Sequence, residues 1–242
     1  TYYQYQLRTF RYEPGTLPAK SVNEGGTAYR GEFTESNLMS QTTLAWLKDW
    51  NRAHHVDLTA GFIAQKRGSD NFTLQGEGYQ SDDVTWNNMN AIPDKENYSA
   101  SSANTEKTAM SFLARANYNY KSKYYLTITG RRDGASNFAA NQKWAFFPSA
   151  ALKWSISNEN FMKKLDWIND FSLRLSAGRT GNDGISSYRS LSALASTTGG
   201  YLFNGSQPVA FYPSRLASQN LSWEKTDMYN VATDISLFKN RV

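Results

Sequence analysis

The segment KWAFFPSAALKWSIS, residues 143–157, constrains the fold most, because its side chains alternate strictly between two unlike faces. Such a period of two is the mark of a β-strand with one apolar face. The apolar face carries Trp144 and Trp154 near its ends, whereas Lys153 and Ser155 lie on the opposite parity. Ten residues rising ~3.3 Å each at a tilt of ~40° span roughly 25 Å, about the height of a transmembrane barrel's apolar band. A barrel strand with Trp at both membrane interfaces and a strand of a soluble sandwich both fit this pattern.

The segment KYYLTITGRRDGASNF, residues 123–138, repeats the alternation. One parity carries Tyr124, Leu126 and Ile128, and the other carries Thr127, Thr129 and Arg131. The dipeptide Asp133-Gly134 follows and suits a tight turn, since Gly tolerates positive φ. In a barrel this turn is expected at the outer rim, with the apolar parity toward lipid and the polar parity toward the lumen.

Eight such strands are predicted along the chain, joined by short and long connections in alternation. Residues 67–108 and 181–222 are predicted as long loops, and FMKKLDWI is predicted as a short helix. Long loops at one end and short turns at the other are typical of an up-and-down transmembrane barrel, and a soluble Greek key has no reason to sort them in this way. The predicted strands are residues 2–12, 38–48, 55–66, 109–120, 123–132, 143–157, 171–180 and 223–238.

Composition excludes several other classes of protein. No run approaches the roughly 18 apolar residues that a membrane helix requires, although barrel strands need no such run. Cysteine is absent, which removes disulfides, thiolate zinc sites and cysteine nucleophiles. The net charge of +5 is spread along the chain without a long basic block, so no nucleic-acid partner is predicted. The 15 Tyr, 13 Phe and 7 Trp suit strands, glycan-binding surfaces and membrane-interface belts.

Four ordered blocks resemble the C-terminal barrel half of SusC/RagA-type TonB-dependent outer-membrane transporters. The blocks are NYNYKSKYYLTITGRRDGASNF, WAFFPSAALKWSISNENFMK, FSLRLSAGRTGNDGI and NLSWEKTDMYNVATDISLFKNRV, all between residues 117 and 242. Ala135, Ala145 and Ala232 depart from the family pattern by exchanging one small residue for another. The matches in order and spacing are Asn119-Tyr120-Lys121, Arg131 to Gly134, Phe147-Pro148-Ser149, Gly178 to Asn182 and Trp223-Glu224-Lys225.

The resemblance implies an all-β, antiparallel transmembrane barrel, of which residues 1–242 supply about eight strands out of 22 in one barrel domain. No signal peptide, TonB box or plug domain is recognisable, so a middle section of a longer polypeptide is expected. Such a protein imports glycan oligomers or peptides across the Gram-negative outer membrane. It works with a SusD-like substrate-binding lipoprotein and draws energy from the TonB complex through a plug. Outer-membrane lipid is the remaining expected partner.

Substrate contact is expected from loop aromatics and from polar side chains of the lumenal face. Self-packing of the loop aromatics is the alternative reading of the same residues. No catalytic, cofactor or metal site is predicted, since no G-x-S-x-G occurs and His54-His55 has few carboxylates nearby. The candidate contacts are Tyr79, Trp86, Tyr98, Arg115, Arg131, Arg174, Tyr201 and Tyr212.

Two other functions fit the residues alone. A soluble all-β glycan-binding module would use the same aromatics without a membrane. A glycoside hydrolase would need two carboxylates about 5–10 Å apart in a cleft. The acids considered for such a pair are Glu32, Glu35, Asp82, Asp83, Asp94 and Glu96.

Overall fold

The computed structural model describes residues 1–15, 25–92, 94–165, 167–198, 204–205 and 208–238, and these residues are almost entirely β-structure. Ten strands and five three-residue 3-10 helices make up the described part. None of these helices is long and apolar enough to cross a membrane. The strands are β1 (Tyr2–Glu13), β2 (Gly26–Trp50), β3 (His54–Tyr79), β4 (Tyr98–Tyr120), β5 (Tyr124–Ala135), β6 (Trp144–Ser155), β7 (Ile168–Asn182), β8 (Ala193–Thr198), β9 (Val209–Arg215) and β10 (Glu224–Leu237).

Eight strands form one sheet in the order β1-β2-β3-β4-β5-β6-β7-β10, and β8 pairs with β9 in a separate two-stranded sheet. The prediction of an antiparallel sheet of eight strands is confirmed. Sequential neighbours pair throughout, as in an up-and-down meander, with β7 and β10 joined through the β8–β9 hairpin. In the described part of the chain, β1 and β10 each pair on one side only, so the sheet has two edges.

The residues divide into two compact units. Unit 1 comprises Thr1–Met39 and Gln65–Lys107, and unit 2 comprises Ser40–Ala64 and Thr108–Val242. Strands β2, β3 and β4 contribute residues to both.

Two short turns join strands within unit 2. The β2–β3 turn places Asn51 and Arg52 at φ 49° and 53°, and the β4–β5 turn places Lys121 and Ser122 at φ 51° and 53°. Positive φ at both central residues matches the right-handed twist of a two-residue hairpin, although Gly usually fills such positions. The Asn119 side chain accepts a hydrogen bond from the Ser122 amide at 2.9 Å and so stabilises the second turn.

Strands β2, β3 and β4 are longer than the sequence predicts. Strand β2 begins at Gly26, β3 continues to Tyr79 and β4 begins at Tyr98, so residues 80–97 are all that remains of the loop predicted over 67–108. The second predicted long loop contains the β8–β9 hairpin. The predicted FMKKLDWI helix is a single 3-10 turn, Met162–Lys164.

Unit 1 has a small apolar core at its loop. Tyr79 is 3% exposed and packs with the buried Ala28 and Ile92. The ring of Tyr12 meets the ring of Tyr79 edge-on, with their centroids 5.7 Å apart. The partly buried residues around this core are Tyr12, Val84, Trp86, Met89, Ala91 and Tyr98.

Candidate functional site

The sheet of unit 2 has one apolar face and one polar face. On the apolar face Ile128 lies opposite Ala150, and Leu126 lies opposite Leu152. Ile128 is 51% exposed and Leu152 is 53% exposed, so no element of the described part of the chain covers this face. A contiguous exposed apolar surface on a folded protein marks contact with a membrane or with another protein.

Aromatic rings border this apolar face at the end with the short turns. The ring of Tyr124 lies 6.4 Å from the ring of Tyr120 and 6.4 Å from that of Trp154. Farther along this end, the rings of Trp46 and Trp50 are 5.9 Å apart. We name this row the turn-end belt.

A second row borders the face at the end with the long connections. Phe112 lies 5.2 Å from Phe62 and 6.1 Å from Trp144, measured between ring centroids. The Arg132 guanidinium lies 5.3 Å from the centre of the Trp144 ring. We name this row the loop-end belt. Two belts with small and aliphatic side chains between them are the pattern of a bilayer-spanning wall.

The polar face carries all three arginines that the sequence analysis singled out. The Arg131 Nε donates to the Asp133 carboxylate at 2.7 Å, and its Nη2 donates to Ser111 Oγ at 3.2 Å. The Arg115 Nε donates to Thr129 Oγ1 at 3.3 Å. Both arginines are exposed, and these groups along strands β4 and β5 give the face its polar character.

Lower on the polar face, the Arg174 Nη2 donates to Asp234 Oδ1 at 2.7 Å. Lys153 lies directly opposite Arg174 across β6 and β7. Side chains of both signs therefore line this part of the wall, which suits a hydrated surface.

A buried cluster closes the loop end of unit 2, and we name it the rim cluster. Phe138 is 1% exposed and its ring lies 4.8 Å from that of Trp223, while Phe147 meets Trp223 edge-on at 5.4 Å. The Asn137 side chain is 2% exposed. Each of these residues lies in one of the sequence blocks that carry the family resemblance, so the blocks meet at one place in the fold.

Two glycines near the rim cluster are required by close approach of aromatic rings. A Cβ on Gly181 would lie 2.1 Å from Phe147 Cζ, and a Cβ on Gly134 would lie 2.7 Å from Trp144 Cδ2. The prediction that Asp133-Gly134 forms a turn is wrong. Both residues belong to β5, where Asp133 pairs with Arg131, and the chain turns after Ala135.

The β5–β6 loop holds both ends of the excursion between β7 and β10. At the first end, Asn137 Nδ2 donates to the backbone oxygens of Asp183 at 3.1 Å and Ile185 at 2.9 Å. At the second end, the Ala139 amide donates to the Leu221 oxygen at 3.0 Å. The Trp223 Nε1 also donates to the Lys143 oxygen, at 2.9 Å. One loop therefore fixes the base of residues 183–223.

At the turn end, Glu159 accepts three side-chain hydrogen bonds. Lys123 Nζ and Tyr124 OH each donate to its carboxylate at 2.7 Å, and Trp154 Nε1 donates at 3.2 Å. These bonds hold the pKa of Glu159 down at about 2, with the Lys123 bond as the largest cause. The carboxylate thus orients two rings of the turn-end belt.

The remaining predicted contacts fall in three places. Tyr79, Trp86 and Tyr98 pack together in unit 1, so the structure shows the loop self-packing that the sequence left open. Because Tyr79 is buried, its ring offers no face to a ligand in this conformation. Tyr212 is 50% exposed on β9, and Tyr201 lies outside the described residues.

The acids considered for a hydrolase have local partners. Glu32 lies in β2 and pairs with Arg8 at 3.3 Å, and Asp82 accepts from Tyr12 OH at 2.6 Å. Asp94 accepts from the amide of Glu96 at 2.9 Å, at the start of a 3-10 helix. In the described part of the chain, Glu32, Asp82 and Asp94 therefore each have a local structural contact.

Sequence reasoning missed Asn137, Phe138, Trp223 and Glu159 as important residues. Each of the four lies inside one of the blocks that resemble the family, and this position is the signal in the sequence that could identify them. An alternation pattern does not identify them, because all four lie outside the strands.

Comparison of the sequence with known proteins identifies related barrels. The family model "TonB dependent receptor-like, beta-barrel" matches residues 1–242. TonB-dependent receptor P3 of Formosa agariphila is 33% identical over 233 residues, which are 96% of this chain and 23% of that protein. TonB-dependent receptor SusC of Bacteroides thetaiotaomicron is 35% identical over 146 residues, 57% of this chain and 14% of that protein.

Among solved structures, the RagAB peptide transporter superposes with a TM-score of 0.89 at 22% identity. The match covers 99% of this chain and 26% of that one. At this identity the likeness concerns the fold. The chain spans about a quarter of the length of these relatives.

Proposed function

Because the chain belongs to the TonB-dependent receptor-like β-barrel family, we propose that it forms part of the wall of a nutrient importer. Its place is the outer membrane. Residues 1–242 contribute eight strands of one larger barrel domain. The apolar face of unit 2 contacts lipid, and the polar face lines the lumen.

The observation that carries this proposal is the pair of aromatic belts on the exposed apolar face. Exposed rings such as Tyr124 and Trp154 at one end and Phe112 and Trp144 at the other suit the two membrane interfaces. A soluble module would have to leave the same face in water, which costs roughly 25 cal/mol for each Å² of apolar surface. The soluble alternative therefore has no support, since the family lies in the outer membrane.

The cargo we propose is a glycan oligomer or a peptide. The RagAB structure is described as a peptide transporter, which supports a peptide, and the resemblance to SusC/RagA-type transporters implies glycan oligomers as the other class. A SusD-like lipoprotein partner and energy supplied through TonB complete the proposal. We assign no catalytic step to this segment.

Within the segment, the lumenal arginines Arg115, Arg131 and Arg174 are the proposed wall contacts for cargo. Tyr212 is the proposed contact on the β8–β9 hairpin, because half of its surface is exposed. Trp86 and Tyr98 act by supporting the unit 1 loop.

The proposal is tested by adding bulk to adjacent positions on opposite faces of β7. Ser176 lies on the polar parity and Ala177 on the apolar parity, opposite Ala150 and Tyr229. In the full-length receptor, Ser176→Trp is expected to lower the uptake of labelled oligosaccharides or peptides several-fold by narrowing the lumen. Ala177→Trp is the matched control and is expected to import normally, since lipid accommodates the ring.

Uptake is measured in cells with receptor abundance in the outer membrane checked for both variants. Equal loss in the two variants, or loss in Ala177→Trp alone, would contradict the assignment of the faces. Comparing oligosaccharide and peptide uptake in the wild-type receptor identifies the class of cargo.

A further inference from the structure

Unit 1 contains a cavity of about 640 Å³ that no part of the proposed transport function uses. Strands β1, β2 and β3 form its floor, and the loop after β3 forms one wall. The volume lies within the range of about 300–1,000 Å³ that is usual for small-molecule sites. Its lining includes Arg8, Phe10, Arg30, Glu32, Phe72 and the segment Asn87–Asn90.

We propose that this cavity binds an anionic saccharide, a sugar that carries a carboxylate, sulfate or phosphate group. The inference goes beyond the import of cargo through the barrel. Three properties of the cavity carry it: an aromatic floor, a cation with no carboxylate partner among the described residues, and a wall of side-chain amides.

The floor offers flat apolar surfaces. Phe10 is 45% exposed and Phe72 is 46% exposed, so both rings remain available inside the cavity. Aromatic faces pack against apolar groups of a ligand with little loss of side-chain entropy. The C–H groups on one side of a pyranose ring provide a suitable partner.

The floor carries a net positive charge from two arginines and one glutamate, Arg8, Arg30 and Glu32. Arg8 pairs with Glu32 at 3.3 Å, and both lie on the face that carries Phe10 and Arg30. The Arg30 guanidinium lies 5.3 Å from the centre of the Phe10 ring, and within the described ranges it has no ion pair with a carboxylate. A guanidinium on an aromatic ring keeps its fork of N–H donors free for a planar anion, which it binds in a bidentate manner. An acidic group on the ligand completes this arrangement.

The wall supplies donors and acceptors for hydroxyl groups. Asn87, Asn88 and Asn90 line the cavity, and each amide offers both a donor and an acceptor. The buried Tyr79 donates its hydroxyl proton to the backbone oxygen of Asn88 at 3.3 Å, and Tyr98 OH donates to the backbone oxygen of Met89. The two tyrosines are therefore positioning residues that hold this wall in place before a ligand arrives.

These groups favour a saccharide over a peptide. A peptide that binds by strand addition needs an unpaired strand edge, which in the described residues β1 offers only on the side away from β2. In the cavity the backbones of β1 and β2 pair with each other at Arg8–Glu32 and Phe10–Arg30. The cavity thus presents side chains, whose amides match neighbouring hydroxyl groups.

The test uses the full-length receptor in detergent and isothermal titration calorimetry. The probes are tetragalacturonate, neutral maltotetraose and a tetraglutamate peptide. We expect saturable binding of tetragalacturonate at least tenfold tighter than that of maltotetraose. Arg30→Ala and Phe10→Ala are each expected to weaken it by about tenfold or more, whereas Arg30→Lys should retain part of the affinity.

Arg11→Ala is the matched control. Arg11 follows Phe10 in β1, so its side chain lies on the opposite face of the strand, and it pairs with Glu13 at 2.7 Å. It should bind tetragalacturonate like the wild type. A second arm adds deacylated lipopolysaccharide core oligosaccharide as a competitor. Displacement of tetragalacturonate assigns the site to membrane glycolipid, and its absence assigns the site to soluble acidic glycans; both support an anionic saccharide.

Unchanged affinity in Arg30→Ala and Phe10→Ala would overturn the proposal. So would the absence of saturable binding to the wild type, or tetraglutamate binding as tight as that of tetragalacturonate. Nutrient uptake is measured separately, in cells that express the same receptor variants. A receptor that imports its cargo but fails to bind the acidic probe refutes this site and leaves the proposed transport function intact.

Discussion

At the scale of single residues, Glu159 links the segment between β6 and β7 to the β4–β5 turn. Its carboxylate is bound by Lys123, Tyr124 and Trp154, and the neighbouring Asn158 Nδ2 donates to the Ser122 oxygen at 2.7 Å. Because the cluster depends on the charged form, protonation of Glu159 removes its strongest contacts.

This arrangement predicts a dependence of stability on pH. The pKa of Glu159 is lowered from 4.5 to about 2, so the folded state binds the proton less readily than the unfolded state. The stabilisation is complete above pH 4.5 and is lost as the pH falls toward 2. In the full-length receptor, Glu159→Gln should lower the thermal unfolding midpoint at pH 7, and the two midpoints should converge near pH 2. A constant difference between the two proteins across this range would contradict the role of Glu159.

A second prediction concerns Gly181 and Phe147. Gly181→Ala places a methyl group inside the ring of Phe147, so overpacking should lower the free energy of unfolding by roughly 1–3 kcal/mol. Phe147→Ala alone should cost roughly 3–5 kcal/mol, because the ring is buried against Trp223. In the double variant the added cost of Gly181→Ala should largely disappear.

Chemical unfolding of the detergent-solubilised receptor measures this double-mutant cycle. Additive costs would show that the methyl group and the ring do not conflict. Gly184→Ala serves as a comparison, since its Cβ would approach only the Asn182 side chain, at 3.0 Å.

At the scale of secondary structure, strand β10 displays the two faces most openly. Val231 is 76% exposed and lies opposite Leu175, whereas the adjacent Asn230 donates to Ser176 Oγ at 3.4 Å. Adjacent positions therefore face lipid and lumen in the proposed barrel.

Nitroxide labels at these two positions test the alternation. In the full-length receptor in bilayers, a label at Val231→Cys should be more accessible to oxygen than to a water-soluble nickel chelate. A label at Asn230→Cys should show the reverse preference. Power-saturation EPR measures both, and a shared preference for oxygen would place both positions in lipid.

The alternation was enough to predict the faces of β5, β6, β7 and β10, because lipid and water impose opposite demands on neighbouring residues. It does not reveal residues 67–79 of β3 and 98–108 of β4, which the sequence predicts as loop. Sequences such as SASSANTEK carry polar side chains on both faces, and no period of two is then visible. The prediction of a turn at Gly134 is wrong for another reason. Gly134 is required by the ring of Trp144, which comes from the next strand, and local sequence does not show this contact.

At the scale of the whole chain, the sheet leaves its apolar face and its two edges without a partner in the described residues. Unpaired edge strands and exposed apolar surface both promote association in water. Residues 1–242 produced alone should therefore aggregate without detergent and should become dispersed in it. Sedimentation velocity under both conditions checks this prediction. A monodisperse monomer in detergent-free buffer would contradict the lipid-facing assignment.

The anchoring of residues 183–223 by a single loop has a consequence for how such receptors diversify. Asn137 at one end and the Ala139 amide with Trp223 at the other keep the two ends of the excursion on a common base. We expect insertions, deletions or replacements between these two anchored ends to leave the pairing of β7 with β10 unchanged. The length and sequence of this segment can then vary independently of the strands around it.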